Sequence, residues 1–466
     1  MPPSPSSGSD PEALDTWERE LLKEVRRTVK EVWKVAGQPK KVYLAVDGVV
    51  PMAKIRQQRV RRFKSAWLRT HIGGSEQGWD SNAITPGTAF MEKLTRELES
   101  LAKEHGRGWE VSGIQEPGEG EHKIMQWLRT AKISAIIYGL DADLILLSML
   151  VGSECGLPLW LLREKQEFGG KMITDEDGEQ EYTFMNLEEF KGRVGVKGEY
   201  EATLNYVALM SLMGNDFLPH SLTHKLNDDG HDCVLKEFRT MCQRKTWLVK
   251  DGQLQLNILL DICKRWATDE NERMAHMIAK KREQAARGVG KGMDESEALP
   301  LEWNVESVLI NEKGLIEGWR NEYWLAIHPD GQGRAEELCG EYITGCQWIL
   351  DYYTGKQVNR AWMFSSWIPP LWSDLVGWLT NHTSIPVIPG TDVQIQPAEQ
   401  LAMVLPLDSW GLIRDRFLRR LPALAPQMWP AKFEFFSLGR KWLWECEARI
   451  PVLTAVRLRE ILSEAR

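Results

Sequence analysis

Six carboxylates and a short run of cations are spaced as the parts of a phosphodiesterase would be. Asp47 follows the apolar run Val42 to Val46, Glu119 and Glu121 sit in PGEGEHK (117–123), Asp141 and Asp143 follow Ile133 to Leu140, and Asp216 follows Gly214. Each acid thus stands at the end of an element, where the ligands of open α/β sheets bind. Singly, such pairs also describe surface turns; at four successive element ends they describe a site. Carboxylates gathered in one crevice raise one another's pKa unless cations neutralise them, and the natural counter-charge is an oxygen-binding divalent ion, Mg²⁺ or Mn²⁺. Asp141 and Asp143 are two apart, which in an extended segment puts both on one side, able to share a metal. Asp216 is expected just past a helix C-terminus, where the helix dipole disfavours an anion unless a cation is near. His122 is expected as a local hydrogen-bond partner, and Lys123 either faces a phosphate or is exposed.

Lys54, Gln58, Arg61 and Arg62 fall at i, i+4, i+7 and i+8 of a helix starting near Ala53, which makes one face suited to a phosphate. Metals that activate water and stabilise a leaving oxygen, beside cations that hold a neighbouring phosphate, amount to phosphodiester hydrolysis.

The elements that position these groups follow from periodicity and turn signals. Val42 to Val46, Trp109 to Ile114, Ile133 to Leu140 and Leu157 to Leu162 read as strands. Helices are expected from Asp15, with Glu18 completing a capping box, to Val35; from Ala89 to Glu104, capped by Thr85 or Thr88; from Lys123 to Arg129; and from Leu204 to Met213. Glu164 to Glu181 reads as a surface loop or hairpin. The expected fold class is α/β: a largely parallel sheet with an acidic carboxyl edge, followed by a mainly helical C-terminal region. The expected division is a disordered tail over 1–16, a nuclease core over 17–265, a charged linker, mobile insertion or exposed helix over 266–300, and a helical region over 301–466.

Composition narrows the class. The chain has 466 residues, 43% of them hydrophobic, and a net charge of −8, so nucleic-acid binding has to rest on a local basic patch. No apolar run approaches the ~20 residues of a membrane span, and the first residues lack the features of a signal peptide. Seven cysteines without a CxxC pair argue against a disulfide framework or zinc site and for a reducing, intracellular setting. Most of the 21 tryptophans are expected in the core.

VYLAVDGVVPMAKIRQQRVRRF (42–63), ITPGTAFM (84–91), PGEGEHKIMQWLR (117–129), IYGLDADLILLSM (137–149) and LMGNDFLPH (212–220) resemble the XRN family of 5′-to-3′ exoribonucleases. CQWILDYYTGK (346–356), PAEQLAMVLP (397–406) and GRKWLWECEARIP (439–451) are similar to its helical region. The resemblance implies hydrolysis of single-stranded RNA from a 5′-monophosphate end with two divalent ions. It implies that the six acids hold the metals, that Lys54, Gln58, Arg61 and Arg62 form the 5′-phosphate pocket, and that Trp362 stacks on the first base. Ahead of Lys41 the chain does not resemble the family's Met-Gly-Val-Pro start or the strand with an Asp-x-Asn motif. One acid and one sheet position beside Val42 to Val46 are therefore expected to be missing, with weak or absent hydrolysis and retained RNA binding. A catalytically impaired RNA-binding protein and a structure-specific DNA flap nuclease are the alternatives.

Overall fold

The computed structural model describes residues 11–71, 78–139, 141–166, 173–174, 180–196, 200–226, 228–287, 308–327, 334–388, 392–440 and 445–464. Its first half alternates helix and strand: α1 (Pro11–Val35), β1 (Val42–Ala45), α2 (Met52–His71), α3 (Ala89–His105), β2 (Trp109–Ser112), α4 (Gly120–Ala131), β3 (Ala135–Tyr138), α5 (Asp143–Cys155), β4 (Leu159–Glu164) and β5 (Tyr182–Asn186). Helices follow: α6 (Leu187–Val194), α7 (Tyr200–Ser211), α8 (Gly230–Arg244), α9 (Leu256–Ala267), α10 (Glu270–Arg287), α11 (Trp319–Ile327), α12 (Arg334–Tyr353), α13 (Trp372–Asn381) and α14 (Pro397–Val404). The fold is mixed α/β with a helical second half. Among the described residues, no helix is long and apolar enough to cross a membrane.

The expected sheet is two sheets. β1 pairs in parallel with β2, Val42 opposite Trp109; β3 pairs in parallel with β4, which carries β5 antiparallel on its far side. Among the described residues no ladder joins β1 to β3. Local signals explain most element ends. Thr88 caps α3 by accepting from the Met91 N–H, and Gly156, with φ +65°, ends α5 in the left-handed conformation that glycine takes without penalty.

Two expected boundaries move. Residues 11–16, expected in the tail, are the opening turns of α1; residues 1–10 lie outside the described residues. Asp15 does not cap that helix. It lies 2.7 Å from Lys93, which also holds Glu18 at 2.9 Å, so the would-be capping box docks α1 on α3. The charged stretch expected as a linker, a mobile insertion or an exposed helix is, as far as residue 287, the end of α9 and then the helix α10, and it is packed rather than exposed: Met274, Met277 and Ile278 are buried. Buried Lys281 donates to Ser437 O at 2.7 Å, and buried Glu270 accepts from Trp372 N–H at 2.6 Å. Many charges hid an apolar stripe there; residues 288–300 lie outside the described residues.

The helical region braces the basic helix. Met52, Ile55, Val60 and Phe63 of α2 pack in one core with α14, Trp429 and the helix Ala455–Glu464. Arg59, buried, donates to the carbonyls of Met403 and Met428, and Val50 N–H donates to Gln400 Oε1 at 2.9 Å. A helix fixed on its apolar side in this way can present its other sides as a rigid platform.

Candidate metal and phosphate site

β1 delivers Asp47 to its carboxyl end, and the next residues lie against the loop before α4. Gly48 N–H donates to Gly118 O at 2.9 Å, and Gly118 N–H donates to Val49 O at 2.8 Å. A Cβ on Gly48 would fall 1.9 Å from Glu116 O, so only glycine permits this approach. Asp47 Oδ1 accepts from Gly120 N–H at 2.7 Å, one of the donors a helix start leaves free. Lys123 neither faces a phosphate nor stands exposed: it is buried and donates to Val46 O and Gly113 O at 2.7 and 2.8 Å, tying the ends of β1 and β2 together.

Two of the remaining acids, Glu119 and Asp216, close on Lys54. Its Nζ lies 2.5 Å from Glu119 Oε2 and 2.5 Å from Asp216 Oδ2. Asp216 is set by its neighbour Asn215, whose Oδ1 accepts from the N–H groups of Phe217 and Leu218 at 2.9 and 3.0 Å. Asp143 opens α5, with Ala142 in a helical conformation before it, so Asp141 and Asp143 do not share one side of an extended segment. The helix start suits an anion better than the strand end expected, because the dipole there is positive. Asp141, ahead of it, is exposed.

Electrostatics couples all six acids. Burial raises Glu119, against the pull of Lys54, with Asp47 adding to the rise. Burial pushes Glu121 up to about 8, helped by Glu119, Asp143 and Asp141, and raises Asp143 with a contribution from Asp216. Lys54 resists its own burial because Glu119 and Asp216 hold its ammonium well above the usual lysine range.

Three residues beyond the expected set complete the site. Tyr352 and Tyr353, at the end of α12, donate from their hydroxyls to Glu119 Oε1 at 2.9 Å and Asp143 Oδ2 at 3.1 Å. They come from more than 200 residues away, and only the DYY motif hinted at them. His122, expected as a local partner, has a buried Nε2 with no hydrogen-bond partner among the described residues. Burial, then Lys54, lowers it to about 3, and its ring packs on Tyr352 with centroids 3.9 Å apart. One ligand atom each of Glu119, Glu121 and His122 lies within 4.8 Å of the others. An orphaned ring nitrogen beside carboxylates that burial drives toward neutrality fits a divalent ion, which would restore their charge.

The expected phosphate quartet divides. Lys54 turns to the acids, and Gln58 is buried with its Oε1 unpartnered among the described residues. Arg62 reaches Thr85 Oγ1 and the Asn82 carbonyl, and burial with Arg61 beside it lowers its pKa to about 10, a state that an anion would relieve. Arg61 is exposed and lines a 470 Å³ cleft with Arg56, Gln57, Lys64, His220 and Asp216. Packing of α2 on the C-terminal region thus leaves Arg61 open to the cleft, while Lys54, Gln58 and Arg62 make contacts within the fold. Trp362 is in the core: it is buried, 5.1 Å from Trp348 by ring centroids, and closes on Gly345. That position leaves its ring no open face for a base.

The protonation of Glu121 has a measurable sign. Its folded pKa of about 8 stands above its ordinary 4.5, so between these values the folded state binds more protons than the unfolded state, and stability falls as pH rises. Glu121→Gln in metal-free protein is therefore expected to match the parent's melting temperature near pH 5 and exceed it increasingly toward pH 8. A difference independent of pH over that window would mean that Glu121 is not held protonated.

The chain was compared with known proteins. The family model described as "XRN 5'-3' exonuclease N-terminus" matches residues 5–165, and that described as "Xrn1 helical domain" matches residues 310–465. The chain is 27% identical to 5'-3' exoribonuclease 1 of Homo sapiens over 91% of its length, and 24% identical to 5'-3' exoribonuclease 1 of Saccharomyces cerevisiae, also over 91%. It is 30% identical to 5'-3' exoribonuclease 2 of Yarrowia lipolytica over 56%. It spans 30%, 38% and 32% of these relatives' lengths, about a third of each.

Proposed function

The chain belongs to the XRN family of 5′-to-3′ exoribonucleases, and from that membership we propose that it hydrolyses single-stranded RNA stepwise from a 5′-monophosphate end, releasing mononucleotides with two divalent ions, Mg²⁺ or Mn²⁺. One observation carries the reading: Glu119 before α4 and Asp216 after α7 close on Lys54, Glu121 and Asp143 lie within its field, Asp47 adds its charge to Glu119, and Asp216 also lines the cleft that holds Arg61. Asp47, Glu119, Glu121, Asp141, Asp143 and Asp216 would hold the ions. When bound, these supply an activated water and charge stabilisation at the leaving oxygen. The chain's own groups do the positioning. Arg61, open to the cleft, binds the terminal phosphate together with Lys54, Gln58 and Arg62 of the same helix, and Tyr352 and Tyr353 orient the carboxylates of Glu119 and Asp143. On this reading direction would follow from the shape of the phosphate pocket. A pocket that takes one terminal phosphate and is closed behind it admits neither a cap nor a triphosphate, and it sets the scissile bond one nucleotide away.

The test is metal-titrated decay of single-stranded RNA bearing either a 5′-monophosphate or a 5′-hydroxyl. Arg61→Ala removes charge-assisted hydrogen bonds, so it is expected to slow decay of the phosphorylated RNA by about tenfold or more while changing the hydroxyl substrate little. Equal decay of both RNAs by the parent protein would remove the phosphate pocket. RNA binding without hydrolysis at any metal concentration would make the chain a binding protein, and faster cleavage of a DNA flap would make it a structure-specific nuclease.

A further inference from the structure

We propose that Thr85 and Asn82 are positioning residues for the terminal phosphate: they fix the Arg62 guanidinium with neutral oxygens, which leaves its charge for the phosphate, and Ser409 of the helical region holds them in turn. The inference rests on the 5′-phosphate reading above and names residues outside α2 on which the selectivity of that pocket depends. The guanidinium is held by the turn 82–85. Its Nη1 donates to Thr85 Oγ1 and, at 3.4 Å each, to Asn82 O and Asn82 Oδ1; its Nη2 donates to Ile84 O at 3.4 Å. None of these acceptors is a carboxylate. Asp80, whose charge reaches Arg62, has its Oδ1 engaged by the Asn82 N–H at 2.9 Å. Lys54, by contrast, is bonded to two carboxylates and already neutralised. A guanidinium held by hydroxyl and carbonyl oxygens is fixed in place with its charge uncompensated, a state that an anion relieves. Arg62 Nε is buried and has no partner among the described residues, and a phosphate oxygen would satisfy it. Arg59 is held by carbonyls too, but it is 2% exposed, where no ligand reaches it; Arg62 keeps partial exposure beside Arg61.

The turn is built to stay where it is. Thr85 is fully buried, its hydroxyl donates to Asn82 O at 2.6 Å, and Pro86 after it disfavours any helical rearrangement of its backbone. On its other side the turn is seated on the helical region. Asn82 Nδ2 donates at 2.8 Å to the buried Ser409 Oγ, in the short 3-10 segment Leu407–Leu412. A Cβ on Gly87 would fall 2.8 Å from Pro397 O at the start of α14, so the backbones there are in close contact. The Ser409 bond also decides which way the Asn82 amide faces. With its Nδ2 given to the hydroxyl, its Oδ1 is left as an acceptor for Arg62. A short chain of contacts, Ser409 to Asn82 to Arg62, thus carries the seating of the helical region to the phosphate pocket.

The test is the affinity of the full chain for a short single-stranded oligouridylate bearing either a 5′-monophosphate or a 5′-hydroxyl, read by fluorescence anisotropy without divalent ions so that hydrolysis does not enter. Thr85→Val keeps the volume and removes the hydroxyl that Arg62 bonds. It is expected to lower the preference for the phosphorylated RNA about tenfold, the scale of one charge-assisted hydrogen bond, and Thr85→Ser to restore it. Ser409→Ala is expected to lower it about threefold through the loosened Asn82 amide. Adding Thr85→Val to Arg62→Ala is expected to give no further loss, because Thr85 acts through that guanidinium. Asn82→Asp separates positioning from folding: a carboxylate beside the buried cation should hold or raise the melting temperature while the phosphate preference falls about tenfold. An unchanged preference in Thr85→Val, a full further loss in the double variant, or an undiminished preference in Asn82→Asp would each overturn the proposal. Equal affinity of the parent protein for the two RNAs would overturn the phosphate reading itself, and the proposal with it.

Discussion

Asp143→Asn is expected to lower turnover of 5′-monophosphorylated RNA by roughly 10³-fold or more, because losing a metal-holding carboxylate forfeits several kcal/mol of charge stabilisation in the transition state. Asparagine is chosen over alanine for a structural reason. Tyr353 is buried and donates to Asp143 Oδ2 at 3.1 Å, and an amide oxygen still accepts that bond, whereas alanine would leave the hydroxyl unpaired. Burial and the negative charge of Asp216 already raise the pKa of Asp143. A neutral side chain should therefore hold or raise the melting temperature while activity disappears. Turnover within a few-fold of the parent would remove Asp143 from the site, and a fall in melting temperature would assign it to stability instead.

Lys54→Met is the second large effect, and it falls on the fold. The ammonium is the shared partner of Glu119 and Asp216 at 2.5 Å each, and the Glu119 side chain is only 4% exposed. Removing one member of a buried ion cluster leaves an uncompensated charge, at about 3–5 kcal/mol near neutral pH. The sign with pH follows from the direction of the shift. Lys54 is raised in the folded state, so its contribution is fully present below its ordinary 10.5 and is lost only as pH climbs through the folded value; toward acid, the effect of the substitution shrinks as its carboxylate partners take up protons. Denaturation at pH 7.5 and pH 5 should therefore show a large and a reduced loss. Adding Glu119→Gln should recover much of it, since the two sites are coupled directly. Mg²⁺ should also raise the melting temperature of the Lys54→Met protein more than that of the parent, because the acids have lost their internal cation. A metal-independent loss, equal at both pH values, would mean that the lysine acts through packing alone.

The strands, the α3 cap at Thr88 and the placing of the acids at element ends were legible because each rests on a local rule: an apolar run of strand length, a hydroxyl before a helix, a carboxylate in the turn between two elements. Where reading failed, a distant contact had decided. Asp15 and Glu18 satisfy the spacing of a capping box, yet Lys93, 75 to 78 residues on, takes both. The charged stretch after Asp269 reads as a linker or an exposed helix until Met274 and Ile278 are seen to share a core with α12 and α13. Trp362 stands where the resemblance implied a base-stacking residue but is held in the core against Trp348.

By itself the sequence determined where the candidate acids and cations stand along the chain, since strand and helix periodicity place Asp47, Glu119, Asp143 and Arg61 at element ends or on a basic helix whatever surrounds them. Tertiary structure alone decided how those groups face one another. The C-terminal core set the rotation of α2, and so turned Lys54 into the acids, brought Arg61 to the cleft and left Gln58 buried. α12 brought Tyr352 and Tyr353 to the carboxylates from the far end of the chain. Orientation about a helix axis and contact across hundreds of residues depend on which surfaces exclude water together, a property of the packed whole that no local spacing encodes.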